Sequence, residues 1–392
     1  MPWRESSPMS ERLAFIRACL NRRERIVDIC DRFGISEKTG QKWLQRFRSE
    51  GEGGLVDRSH APRTHQARVH SEIADRILAL RRKHPLYGPR KLYDWLVQHD
   101  PQRQWPVPST IGELLKRAGL IRPRRRRLRP VERQLHHASA VAHQPNDVWT
   151  ADFKGQFILG GRNYCYPLTV LDLYSHYLLR CVALSNTSVP PSRRVFLSLF
   201  RELGLPTVIR TDNGIPFAQP NALGRMGALA FWWVRLGIRP DHIRPARPAE
   251  NGAHERFHKT LKASTAAPPA ATFTAQQRRF DRFGAEYNGE RPHEGLPHHV
   301  PPAKVYRPSP RAYPDRLPPL AYPGADAVRL VDPGGSIKWR DQALFLSTNL
   351  SGDYVGLTVT PSDLVRIEYA QLALGHFDPH LGRFIPHVEW LG

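Results

Sequence analysis

The feature that most narrows what this chain can fold into is a carboxylate inside an apolar strand. Val148-Trp-Thr-Ala-Asp152-Phe reads as a strand, and its acid is costly to bury unless it meets a partner or a cation. The surrounding pattern predicts a sheet. Residues 164–174 and 177–184 are β-rich runs, and Val195, Phe196, Leu199 and Phe200 follow helical spacing up to Gly204. Thr207-Val-Ile-Arg-Thr211 is a short apolar strand ending at the turn signal Asp212-Asn213-Gly214. Residues 223–236 read as a helix and 238–245 as an extended stretch. From Ala249 another helix places Ala253, Phe257 and Leu261 on its apolar side. Three strands followed by alternating helices and strands predict an α/β domain over 141–300.

Further carboxylates fall at telling positions. Asp212 ends a strand beside a turn, and Glu250 and Glu255 both follow the proline-containing run 244–248. Taken singly, each reads as an ordinary strand-end or surface acid. Three that converge form a hard, oxygen-rich pocket suited to Mg2+, and a pair of such ions can polarise a phosphodiester and generate a hydroxide. Spacing alone leaves the third acid open between Glu250 and Glu255.

Charge points to the partner. The 392 residues carry 58 Lys+Arg against 36 Asp+Glu, a net +22, and 48 of the 58 are Arg. A chain this basic meets polyanions, with nucleic acid the default, and the Arg fork matches phosphates and guanine edges. The excess is uneven: residues 1–135 hold 30 basic and 15 acidic side chains, residues 136–392 hold 28 and 21. The first third is therefore expected to grip the nucleic acid. With 40% hydrophobic residues the chain has material for real cores.

Within 1–57 the pattern is a helix-turn-helix. Ser10 can cap a helix carrying Leu13, Ile16 and Leu20, and Ile26, Ile29, Cys30 and Phe33 space as a second helix. Gly34-Ile35-Ser36 breaks it, and Ser36 caps a third helix with Thr39, Trp43, Leu44 and Phe47. That last helix would lay Glu37, Lys38, Thr39, Gln41 and Lys42 in a major groove. A second helix-turn-helix is expected over 68–121, with 109–118 as its reading helix. Between it and the α/β domain lies a basic linker, 122–140. Arg122, Arg124, Arg125, Arg126, Arg127 and Arg129 cannot pack together there, and read as an extended arm on phosphates or in a minor groove.

Four motifs then carry a resemblance. Asn146-Asp-Val-Trp149-Thr-Ala-Asp152-Phe resembles the W-x-x-D-F opening of the retroviral-integrase-type core, and Arg210-Thr-Asp212-Asn213-Gly214-Ile-Pro-Phe217 its T-D-N-G-x-x-F motif. Arg247-Pro248-Ala-Glu-Asn251-Gly252-Ala-His-Glu255-Arg256 resembles its P-x-x-N-G-x-x-E-R segment. Tyr287-Asn288-Gly-Glu-Arg291-Pro292-His293-Glu-Gly-Leu296 resembles the Y-N-x-x-R-P-H-x-x-L close of the bacterial insertion-sequence branch. The chain is similar to DDE-type insertion-sequence transposases. The resemblance implies an RNase H-like core, with Asp152, Asp212 and Glu255 as the catalytic, metal-holding acids. It also implies two Mg2+ ions, replaceable by Mn2+, with Asp152 bridging both. One departure is length: 42 residues separate Asp212 from Glu255 (255 − 212 − 1), more than is usual for this core, and the excess falls around 218–227.

The implied reaction is a pair of in-line phosphoryl transfers: cleavage exposing a 3′-OH at the element's end, then attack of that 3′-OH on target DNA. Double-stranded DNA is the expected partner, from both transposon ends and target. Joining two ends predicts at least a homodimer. Glu255, Lys259 and Lys262 are spaced i, i+4, i+7, so one helix face is expected to carry the acid and two phosphate-holding lysines. Asn213 and Gly214 are expected to shape the Asp212 turn, and His254 reads as a surface residue or one behind the site.

The remainder reads as a Pro-rich linker over 301–325 and short strands over 326–392, for which the resemblance implies a small SH3-like β-barrel. No run of about 20 apolar residues occurs, and Met1–Arg12 lacks the apolar core of a signal peptide. Cys19, Cys30, Cys165 and Cys181 form no metal or C-x-x-C spacing. A cytoplasmic, nucleoid-associated, bacterial-type protein without membrane contact is expected. The rival readings are a catalytically silent DNA-binding regulator and an RNase H-type nuclease.

Overall fold

The structure, a computed structural model, describes residues 7–21, 23–58, 69–121, 140–219, 222–243 and 252–391. It forms two compact units, one ending at Val69 and one beginning at His70. The arginine arm 122–129 lies outside the described residues.

The first unit contains α1 (Pro8–Leu20), α2 (Ile26–Arg32) and α3 (Glu37–Glu50). The cap of α1 is Ser7, not Ser10. Ser7 accepts from the Ser10 amide, Ser10 returns the bond, and Pro8 opens the helix with its φ already set. Gly34 makes the turn at φ +65°, and Ser36 caps α3 through the Thr39 amide. Phe15, Ile16, Ile29, Trp43 and Leu44 form the core. Gly40 lets α3 come close: a Cβ there would stand 2.4 Å from the Cys30 Sγ.

The second unit opens with α4 (Ser71–Lys83), α5 (Pro89–His99) and α6 (Pro108–Arg117), closed around Ile77, Leu92, Leu96, Ile111 and Leu115. The central sheet follows: β1 (Val148–Phe153), β2 (Phe157–Ile158), β3 (Tyr164–Asp172), β4 (Leu178–Leu184), β5 (Val208–Thr211) and β6 (Arg239–His242). The β4–β3 and β3–β1 pairs are antiparallel, whereas β1–β5 and β5–β6 are parallel; β2 pairs the start of β3. α7 (Val189–Leu203) and α8 (Ala228–Arg235) bring Phe196, Phe200 and Trp233 onto Trp149, Val170 and Ile209. In the second apolar cluster, α9 (Gly252–Thr265) and α10 (Phe273–Gly289) bring Phe257, Leu261, Phe280 and Phe283 onto Cys165, Leu171 and Leu178. Each such aromatic contributes about 2–3 kcal/mol on burial.

α10 also closes a sheet edge. Asn288 accepts from the Leu178 amide and donates to its carbonyl, and Gln277 does the same between Ala183 and Cys181. These amides stand in for a further strand on β4, which would otherwise present open backbone groups. The first three helices of this unit dock beside α10. His84 Nδ1 lies 2.8 Å from Glu286 and His299 Nδ1 3.0 Å from Asp94, while Arg291 sits over the Tyr87 ring.

The proline-rich segment is strapped to the core. Tyr306 stacks on Tyr177 and donates to Asn146, Arg311 donates to the Pro206 carbonyl, and Ser309 and Leu205 share further bonds. Beyond it, β7 (Ala327–Leu330), β8 (Ser336–Trp339), β9 (Gln342–Phe345), β10 (Tyr354–Val359), β11 (Val365–Tyr369), β12 (Leu372–Asp378) and β13 (Arg383–Trp390) build a five-stranded antiparallel sheet, β13-β12-β11-β10-β7, and a β8–β9 hairpin. Among the described residues no closed barrel forms, which corrects the SH3-like expectation. Strand spacing predicts strands but not which edges meet. Here the apolar face is covered by α8 and the stretch before it: Leu223, Met226, Phe231 and Val234 share a core with Leu357, Ile367 and Tyr369. The extra length around 218–227 is therefore a platform for this sheet, and Asn349 bonds Gln219 and the Met226 carbonyl there.

Candidate active site

β1 and β5 place two of the three acids. Their parallel register ends at Ala151↔Thr211, so Asp152 and Asp212 follow side by side at the carboxyl ends of strands that lie about 4.8 Å apart. Asp212 is half-buried. Burial pushes its carboxyl above the usual range, against the Gly214 amide, which donates at 3.2 Å, and the nearby His242. Asn213 ties the turn to the end of β6 by donating to the Ile243 carbonyl. At Gly214 a Cβ would come within 3.0 Å of the Asp212 carboxylate.

α9 lies against β1 and β3 through histidines. Thr169 Oγ1 donates to the Asp152 carbonyl and stands 2.8 Å from His254 Nε2 and 2.7 Å from His258 Nε2. Its single proton is thus used, so both imidazoles donate from Nε2. His254 Nδ1 then accepts from Thr150 at 3.0 Å, and His258 Nδ1 presents a lone pair 3.9 Å from Asp152 Oδ2. Burial and Lys154 push His258 down to about 3, and burial holds His254 well below its ordinary value. His254 is 1% exposed, which excludes the surface alternative and leaves the one behind the site.

Glu255 is exposed, as are Lys259 and Lys262. At about 100° per residue, Glu255 sits roughly 60° around α9 from His258. Among the described residues no three His, Cys, Asp or Glu side chains gather closely enough to hold a metal ion. The strands thus bring Asp152 and Asp212 together, and Glu255 does not join them in a three-donor group; Glu250 lies outside the described residues. Lys154 escaped the sequence reading. Burial and Lys262 lower its pKa, and Asp152 raises it. Its position two residues after Asp152, on the same strand face, was the available signal. For His258 the signal was its i+4 spacing from His254.

On α3, Lys38, Gln41 and Lys42 are exposed. Gln41 donates to Glu37, and Lys42 lies over the Trp43 ring. Thr39 is half-buried, its hydroxyl 2.9 Å from that of Ser36, so it belongs to the cap more than to the reading face.

The chain matches a helix-turn-helix domain over residues 11–63, a homeodomain-like domain over 39–115, and integrase core domains over 142–248 and 236–301. It is 26% identical over 231 residues to the insertion element IS407 uncharacterized 31.7 kDa protein of Burkholderia multivorans, covering 58% of this chain and 79% of that one. Among solved structures it is similar to the HTLV-2 integrase catalytic core domain in complex with magnesium, at 15% identity, covering 43% of this chain and 100% of that one, with a TM-score of 0.34. It is also similar to a chain of the simian T-cell lymphotropic virus intasome in complex with PP2A regulatory subunit B56 gamma, at 14% identity, covering 80% and 98%, with a TM-score of 0.37. No helix among the described residues is long and apolar enough to cross a membrane. With helix-turn-helix domains ahead of integrase core domains, and an insertion-element protein among its relatives, the chain is similar to insertion-sequence transposases with an integrase-like core.

Proposed function

We propose that this chain is a transposase that binds the ends of a mobile element, cleaves them to expose 3′-OH groups and joins these to target DNA. The observation that carries the reading is the parallel register of β1 and β5, which ends at Ala151↔Thr211 and leaves Asp152 and Asp212 as the residues that follow, with the Glu255 helix tied to Thr169 of β3 through His258. Asp152, Asp212 and Glu255 are hard carboxylate donors and fit Mg2+ or Mn2+ chemically; the two strand acids are adjacent, and Glu255 would complete the set from α9. Bound divalent ions would supply Lewis acidity and a water of lowered pKa.

The chain's own groups define the remaining roles. Thr169 fixes the Asp152 backbone and both imidazoles, so the strand acid is presented in one orientation. Lys154, Lys259 and Lys262 supply cations for the phosphates flanking the scissile bond. In cleavage, a water oxygen bonds to phosphorus as the bond to the 3′ oxygen breaks, and that oxygen leaves with a proton. In joining, the 3′ oxygen bonds to a target phosphorus and a target 3′ oxygen departs. Both are in-line transfers with no covalent enzyme intermediate. Lys38 and Lys42 of α3 and the arm 122–129 would hold the duplex, and a homodimer or larger assembly would pair the two ends.

A strand-transfer assay on supercoiled plasmid with and without Mg2+ tests this. Cleavage and joining should both require the ion, and Asp152→Ala should abolish both while DNA binding persists. Binding without cleavage would identify a silent regulator, and cleavage without joining an RNase H-type nuclease.

A further inference from the structure

A cavity of ≈480 Å³, walled in part by Thr150 of β1 and His254 of α9, opens where α5, α9, α10 and the loop after α10 meet. Lys91 enters it from α5, Arg256 from α9 and Arg291 from the loop, with the carboxylate Glu294 3.5 Å from the Lys91 Nζ. Asp172 also lines the wall, but its oxygens are taken up by the Asn146 amide and by the Ser175 amide and hydroxyl. His176 and His293 stack at 4.1 Å on the same wall. The cavity therefore gathers two arginines and a lysine, with Glu294 beside the lysine as the carboxylate that answers them.

The crowding of positive charge is felt by its neighbours. His293 is pushed down to about 3, first by burial and then by His176, Lys91, Arg291 and Arg256. Burial and Arg291 lower Lys91 despite Glu294. Like charges held together in a partly dry cavity repel strongly, and an anion relieves that repulsion. The volume falls within the range of small-ligand sites.

The geometry points to this cavity as a binding site for a phosphate group, held by Lys91, Arg256 and Arg291. A DNA strand and free phosphate share that chemistry. The DNA source rests on the DNA-processing reading above; binding of inorganic phosphate does not, so the two can fail separately. Arg256 is the residue to vary, because it is exposed and its charge can be removed without emptying a core.

Titration of the full chain with sodium phosphate at constant ionic strength, followed by calorimetry and thermal shift, is the test. Saturable binding should appear in the wild type, weaken roughly tenfold in Arg256→Gln and recover in part in Arg256→Lys, with Arg291→Gln as a second variant. Absence of saturable binding in the wild type, or equal binding in the charge-removed variants, overturns the site. In a second arm, duplex DNA is added to the phosphate-saturated protein. Displacement, with a salt slope about 0.9 smaller in Arg256→Gln, assigns the phosphate to DNA. Retention of phosphate beside bound DNA assigns the site to the free ion.

Discussion

His258 Nδ1 lies 3.9 Å from the Asp152 carboxylate, and its other nitrogen is held 2.7 Å from Thr169. Through the Thr169 hydroxyl, which donates to the Asp152 carbonyl, His258 links the helix that carries Glu255 to the strand that carries Asp152. His258→Phe keeps the bulk and loses the bond to Thr169. It should cut strand transfer about tenfold or more while DNA binding holds, and His258→Asn should recover part of it. Equal activity in all three proteins, measured by plasmid joining at fixed Mg2+, would remove His258 from the site.

The buried imidazoles also set a pH dependence. His258 and His293 are each pushed down to about 3 by burial and neighbouring cations, and His254 lies well below its ordinary value. Each is neutral in the folded chain and must take up a proton on unfolding below about 6.5. Their contribution to stability is present above that pH and is lost as pH falls from about 6.5 toward 3. Tm should therefore decline through this window, and less steeply in His258→Asn.

Asp212 has the opposite sign. Burial raises its carboxyl, so its contribution is present below the unfolded value of about 3.9 and lost as pH rises through the folded one. At neutral pH without metal, Asp212→Asn should raise Tm slightly while lowering transposition about 10³-fold or more. Added Mg2+ should raise the Tm of the wild type and leave that of the variant in place. A variant less stable than the wild type in chelator would contradict the burial argument.

Asn146 couples the strap to the sheet. It accepts from Trp149 at 3.0 Å and Tyr306 at 3.1 Å and donates to the Arg307 carbonyl at 2.8 Å. Asn146→Ala strands these buried groups and should cost about 2–4 kcal/mol, against about 1 kcal/mol for Tyr306→Phe. Urea unfolding of the two variants and the double variant should give less than the sum, because the groups share one network.

On the reading helix, Lys38→Gln and Lys42→Gln should each reduce the salt slope of DNA binding by about 0.9. Thr39→Val should act mainly through stability, since its hydroxyl sits beside that of Ser36 at the cap. Binding measured across a salt series separates the two effects.

Local chemistry was legible in the order of residues. Gly34 and Ser36 mark the turn and cap of α3, the apolar run at 148–153 marks β1, and Asp212-Asn213-Gly214 marks the end of β5. These depend on neighbours a few positions away, so periodicity and turn chemistry reveal them. The contacts of distant segments were not legible. The Thr169 hub beneath Asp152, the edge of β4 closed by Gln277 and Asn288, and the open C-terminal sheet resting on Phe231 each arise from burial between residues far apart in the chain. Which apolar face covers which, and which polar group meets which, is chosen by the packing of the whole unit; only the tertiary structure decided that His254 turns inward and that the segment before α8 carries a sheet.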